Sequence, residues 1–229
     1  MLRNGFFAFI ILIGTSLYMG QVSAYQFRPE FKPYIGAQYR FQHTKGEGDW
    51  TSLIPQSFHS GALIVGNRFH HNWGVEIGYY QQLKTSEHVD YSNIFFGTNA
   101  GGVTVSTATV KRRGFLLDFL GYLPLDPQFS GVGSVGVMSA KHDFSIKSTN
   151  GTNLATGFNS VTGKNAMFPR LGIGGEFIEK FYGVRGMVHW ENTARLKINI
   201  DSMSGFPNTP DKPYKNGLSA SLTVFYKFY

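Results

Sequence analysis

The residues able to do chemistry in this 229-residue chain fall into two sets. The first is a series of isolated full charges set among glycine and apolar residues: Arg40, Arg68, Glu76, Arg112, Asp118, Arg170, Glu176, Arg185, Glu191 and Lys227. Their chemistry is ion pairing, because single Arg and Glu residues alternating with glycine suit a narrow enclosed space in which opposite charges meet. The second set is His59, Ser60, His88, Asp90, His142, Asp143 and Ser145, from which a base and a nucleophile could be drawn. Their spacings match no nucleophile elbow and no lipid-deacylase or protease motif. No His pair has helix or Cys/His ligand spacing, and the chain has no cysteine. The reading is therefore of no catalytic residues, no cofactor and no metal.

Two-residue periodicity places the first set. In Pro169–Phe177, Leu171, Ile173, Gly175 and Phe177 share one parity, and Arg170, Gly172, Gly174 and Glu176 the other. After a break at Ile178–Phe181, Tyr182, Val184, Gly186, Val188 and Trp190 oppose Gly183, Arg185, Met187, His189 and Glu191. Successive side chains on a strand point to opposite faces, so this is a two-faced antiparallel hairpin. A face washed by water would carry Lys, Thr, Gln and Glu rather than glycine. The same alternation recurs in Pro33–Gln42, Ser60–Phe69, Trp73–Leu83, Ser106–Leu123 and Gly217–Tyr229. Phe129–Ala140 also reads as a strand, but Gly131, Gly133 and Gly136 among Val and Ser leave its faces unassigned.

Eight strands follow, joined by connections that alternate strictly. His70–Asn72, Pro124–Gln128 and Ile178–Phe181 are tight turns; His43–His59, Lys84–Val105, Lys141–Phe168 and Thr193–Asn216 are long and polar. An up-and-down meander then has its long loops at one end, with the turns and both termini at the other. Each strand offers about nine to eleven alternating residues, enough when tilted to cross an apolar band of about 25 Å. The expected fold is all-β: an eight-stranded antiparallel transmembrane barrel with short periplasmic turns and four long extracellular loops, its apolar face outward. Aromatic girdles are expected at Tyr34, Phe69, Trp73, Phe177, Tyr182 and Phe228 toward the turns, and at Phe41, Phe115 and Trp190 toward the loops. The competing architecture is a secreted soluble barrel of the lipocalin type, which would turn Arg40, Glu76, Glu176 and Arg185 out to water.

Composition agrees. Aromatic residues are 16% and charged residues 15%, with 28 glycines, too apolar for disorder and too glycine-rich for a helical protein. Residues 1–24 read as a cleaved signal peptide: Arg3, an apolar Phe6–Leu17 stretch, then Val22-Ser23-Ala24, leaving residues 25–229 as the barrel domain. The net charge of +7 is dispersed, its longest cluster being Lys111-Arg112-Arg113, which argues against a nucleic-acid partner.

The chain resembles the OmpA-like eight-stranded outer-membrane barrels, the broad group of small porin-like surface proteins. The resemblance rests on Gly61–Tyr80 (GALIVGNRFHHNWGVEIGYY), on Pro169–Glu191 and on the terminal strand. It implies the outer membrane as location and the outer-membrane assembly machinery as a partner. The family's assembly signal is a terminal aromatic residue preceded by apolar residues at every second position. Here Tyr229 is terminal but the regular series ends on Phe228. No peptidoglycan-binding domain is expected after the last strand.

An eight-stranded barrel encloses just enough room for side chains, so the charges must pair within it. Neighbouring strands offer Arg68 with Glu76 and Glu176 with Arg185, while Arg40 would close the ring between strands one, two and eight. Lys111 and Arg113 share the outward parity of Phe115 and would stand level with lipopolysaccharide phosphates. The expected protein is a monomer in outer-membrane lipid, structural and surface-exposed, its loops open to a host or surface ligand. A narrow pore for small solutes or ions and a lipid-modifying enzyme are the other classes.

Overall fold

The computed structural model describes residues 31–46, 55–83, 86–87, 105–148, 161–162, 166–193 and 214–228, with backbone alone for 86–87, 105–109, 142–148 and 161–162. Residues 1–24, Tyr229, His88 and Asp90 lie outside them.

Among the described residues the long strands are β1 (Pro33–Gly46), β2 (Ser57–His70), β3 (Trp73–Gln82), β4 (Val105–Pro124), β5 (Phe129–Ser148), β6 (Ala166–Glu179), β7 (Tyr182–Glu191) and β8 (Tyr214–Lys227). Each pairs antiparallel with its neighbours in sequence, and β8 pairs back onto β1 from Tyr34↔Lys227 upward. The sheet therefore closes as an eight-stranded up-and-down barrel without an unpaired edge. Two-residue strands at Ser86–Glu87 and Val161–Thr162 add to β4 and β5 at the loop end.

Strands run further toward the loop end than alternation suggested. His43–Gly46, residues 57–59, Lys141–Ser148, residues 166–168 and residues 214–216 are strand rather than loop. Polar residues such as Lys141, His142 and Asp143 conceal this, because ladder hydrogen bonds hold a strand whatever its side chains are. At the turn end, His71–Asn72, residues 125–128 and Lys180–Phe181 connect the strands, with Lys180 at φ 51°.

Burial alternates as the periodicity requires, in the inverted sense. The outer wall exposes Ile35, Leu63, Val65, Ile77, Leu117, Ile173, Val188 and Leu222, with Leu63 68% and Ile173 73% accessible. Each such side chain left in water forgoes about 1.5–3 kcal/mol of burial, so this wall suits an apolar surrounding. Pairing also assigns β5: Ser130, Val132, Ser134, Met138 and Ala140 are buried inward, whereas Phe129 and Val135 are exposed.

Aromatic residues gather near both ends of the outer wall. Toward the turns, Trp73 stacks on Phe119 at 5.3 Å, and Tyr226 meets Tyr182 at 5.3 Å and Phe228 at 5.2 Å. Toward the loops, Tyr79 meets Phe115 at 5.2 Å, and Phe41 meets His59 at 5.1 Å. Tyr34, expected in the outer girdle, instead faces inward at 3% exposure, because its parity is that of Gln38 and Arg40. The interior also carries more apolar side chains than its glycines and charges suggest. Phe58, Tyr80, Val110, Leu116, Met138, Phe168 and Tyr214 form a cluster; Leu120, Tyr122, Val132 and Met187 form a second; Tyr34, Ile64 and Phe225 form a third.

Candidate functional site: the charged lumen

Arg40, Glu76, Arg112, Asp118, Arg170, Glu176, Arg185, Glu191 and Lys227 are all buried within the barrel, and Arg68 is 14% exposed at its turn end. Register alone would leave a conflict. Glu76 faces Asp118 directly across β3 and β4, and like charges so placed repel. More distant strands resolve it: Glu76 pairs with Arg185 of β7 on the facing wall, and Asp118 lies 3.2 Å from Arg170 of β6, the next strand but one. Glu176 lies 3.4 Å from Arg185, its register partner, and 3.5 Å from Arg68 of β2. Arg40 of β1 pairs with Glu191 of β7.

Two sequence expectations are corrected here. Arg68 does not pair with Glu76, because the regular β2–β3 register sets Gly66 opposite Glu76 and leaves Arg68 two residues nearer the turn. There Arg68 donates to the His71 carbonyl from Nε at 3.1 Å and lies 4.0 Å from the Tyr122 ring centre. Arg40 does not close a ring among strands one, two and eight; it reaches past β8 to Glu191. In the strand order β3 lies opposite β7, and β2 opposite β6. The pairs Glu76–Arg185 and Arg68–Glu176 therefore staple facing walls rather than adjacent strands.

Neutral side chains complete the network. The Tyr34 hydroxyl donates to Glu76 at 2.9 Å. Gln42 and Ser219 donate to Glu191 at 2.5 and 2.8 Å, and Arg112 donates to the Gln42 amide oxygen at 3.0 Å. Arg170 donates to His189 Nε2 at 2.7 Å, which makes that nitrogen the acceptor. Arg40 Nη1 lies 2.9 Å from the Met138 sulfur. The Arg112 guanidinium lies over Phe58 at 3.3 Å and Tyr214 at 4.5 Å, a desolvated cation–π arrangement contributing about 2 kcal/mol. Tyr34, Gln42, His189 and Ser219 share the inward parity of the charges. That parity was the signal that could have found them.

The lumen is lined differently at its two ends. Toward the loops, Phe58, Phe168 and Tyr214 are fully buried above the charges. Toward the turns, a cavity of about 550 Å³ opens between Arg68, Ser130, Ile178, Lys180 and Lys227.

Lys111 and Arg113 are exposed on the outer wall, immediately loopward of Phe115. Arg113 stands in register with Lys141, and Lys111 with Asp143. Phe228 is outward and 49% exposed. His59 faces outward beside Tyr39, while the adjacent Ser60 is buried inward, so this pair does not converge on one reacting atom. His142, Asp143 and Ser145 belong to β5 rather than to a loop.

No family model matches the chain, and no curated protein matches it in sequence. Among solved structures, Neisserial surface protein A is similar over 87% of this chain and 100% of its own, with a TM-score of 0.55 at 10% identity. Ail, the attachment invasion locus protein of Yersinia pestis, matches over 87% of this chain and 99% of its own, with a TM-score of 0.49 at 14% identity. The outer membrane protein OprG from Pseudomonas aeruginosa matches over 88% and 98%, with a TM-score of 0.48 at 14% identity. The likeness to the Neisserial protein is one of fold. The chain shares the architecture of the eight-stranded outer-membrane barrels, as the sequence resemblance implied.

Proposed function

We propose that this chain, with the fold of the eight-stranded outer-membrane barrels, is an integral outer-membrane protein whose lumen is plugged and whose work is done at the cell surface. The exposed apolar wall over buried charge supports membrane insertion, since a water-soluble barrel has the reverse arrangement. The observation that carries the plug is the pairing of Glu76 with Arg185 and Arg68 with Glu176 across the lumen, beneath the buried Phe58, Phe168 and Tyr214. Residues 1–24 then direct export, and Phe228 with Tyr229 presents the strand end to the assembly machinery. The barrel works as a monomer in outer-membrane lipid, with its loops meeting a host or surface ligand. Loops on a rigid scaffold support such recognition by analogy.

Planar-bilayer recording of the refolded chain tests the plug. The expected result is no discrete conductance steps; sustained steps would favour a narrow pore. The open turn-end cavity supports that second reading, because it already brings solvent to Arg68 and Lys227. At the loop end, Lys111 and Arg113 contact lipopolysaccharide phosphate just above the apolar wall. Replacing both with Gln is expected to lower the lipopolysaccharide that co-purifies with the protein. Unchanged co-purification removes this contact.

A further inference from the structure

The described lumen carries more positive than negative charge, and the excess is enclosed at one end. In the loop-end half, Arg40, Arg112 and Arg170 stand against Asp118 and Glu191. Glu191 engages Arg40 and Asp118 engages Arg170. Among the described residues no carboxylate lies within ion-pair distance of Arg112. This side chain is 4% exposed, with Nη1 on the Gln42 amide oxygen, the Tyr214 hydroxyl beside the guanidinium, and its Nε and Nη2 without an acceptor in hydrogen-bond geometry. Gln81 is the register partner of Arg113, so the next residues, Gln82 and Arg112, are neighbours on the inner face of β3 and β4. Gln82 is 7% exposed, and neither its Nε2 nor its Oε1 has a hydrogen-bond partner, so its amide can turn either atom toward the site.

The turn-end excess differs. Arg68 and Lys227 line the open cavity, where solvent screens them. Arg112 has no such outlet, and the faces of Phe58 and Tyr214 offset only part of the desolvation of a buried cation. We propose that the loop-end lumen binds a small monovalent inorganic anion of the halide class, held by Arg112 Nε and Nη2 and by Gln82 Nε2. One excess cation among the described loop-end residues calls for one negative charge. Walls of Phe58, Val110 and Tyr214 supply too few donors for a phosphate or sulfate. Such an anion balances the charges described in the loop-end half whether or not the barrel conducts.

The probe is bromide, applied to the full mature chain refolded in detergent. Diffraction at the bromine edge from crystals grown in bromide is expected to show an anomalous peak within hydrogen-bond distance of Arg112. Urea midpoints at fixed ionic strength should rise saturably as bromide replaces gluconate, which is too large to enter. Gln82→Leu removes one donor and no charge, and is expected to weaken the half-saturating bromide concentration about tenfold. Arg112→Gln should abolish the bromide dependence. If that variant does not fold, Gln82→Leu still decides. Absence of the peak, a midpoint indifferent to bromide, or identical bromide response in Gln82→Leu and the unaltered protein overturns the proposal.

Discussion

Glu191 accepts hydrogen bonds from Arg40, Gln42 and Ser219, and it is the only carboxylate within ion-pair distance of Arg40 among the described residues. Glu76 is differently placed: when it is lost, Arg185 keeps Glu176 at 3.4 Å. Removing one partner of a buried pair costs about 3–5 kcal/mol. Glu191→Gln is therefore expected at the upper end of that range and Glu76→Gln at the lower end, measured by urea unfolding in detergent micelles. Equal losses, or a larger loss for Glu76→Gln, would contradict this apportioning. Glu76→Gln should also admit slight ion leakage in bilayers, since it removes a staple between facing walls. Parity placed both residues inside the barrel. It could not name their partners, because Arg185 and Glu76 meet through space across the lumen, with no shared ladder.

Strand β5 shows what a single element adds. Its glycines hid its faces in the sequence, because a residue without a side chain carries no parity signal. Pairing with β4 and β6 assigns them, and the glycines then differ. A methyl group at Gly133 meets nothing within 4 Å, whereas one at Gly136 meets the Leu117 carbonyl and Asp118. Gly133→Ala is expected to stabilise by about 0.5–1 kcal/mol through lost chain entropy. Gly136→Ala should destabilise by about 1–3 kcal/mol through overpacking against backbone. Thermal or urea midpoints of the two variants check the contrast, and similar values would mean that β5 is turned over. The β6–β7 turn offers a separate test. Lys180 sits at φ 51°, where a side chain is disfavoured by roughly 1–2 kcal/mol, so Lys180→Gly should leave the midpoint unchanged or raised.

At the scale of the whole barrel the decisive property is which wall meets lipid. Ile173 is 73% exposed near the middle of β6. In a bilayer, Ile173→Arg should cost about 2–4 kcal/mol, read as loss of the heat-modifiable folded band after refolding into vesicles. On a wall facing water the same change would fall within about 0.5 kcal/mol of neutral. The mature protein should also need detergent to stay dispersed; free solubility without it would reverse the orientation of the barrel.

Alternation by itself determined the central parts of the strands other than β5, the inward set from Arg40 to Lys227 and the tight-turn end, and glycine among single charges on one face gave the expected sense of the barrel. It could do so because a strand's side-chain period is set by local backbone geometry. Only the closed structure decided that Glu76 and Asp118 face one another and are neutralised from β6 and β7, that Tyr34 turns inward, and that Arg112 lies between two rings with no carboxylate of the described residues in ion-pair distance. Those facts depend on the register of each ladder and on which strands lie opposite across the lumen. Both are fixed by closure, which joins residues far apart in the chain and leaves no period in the sequence.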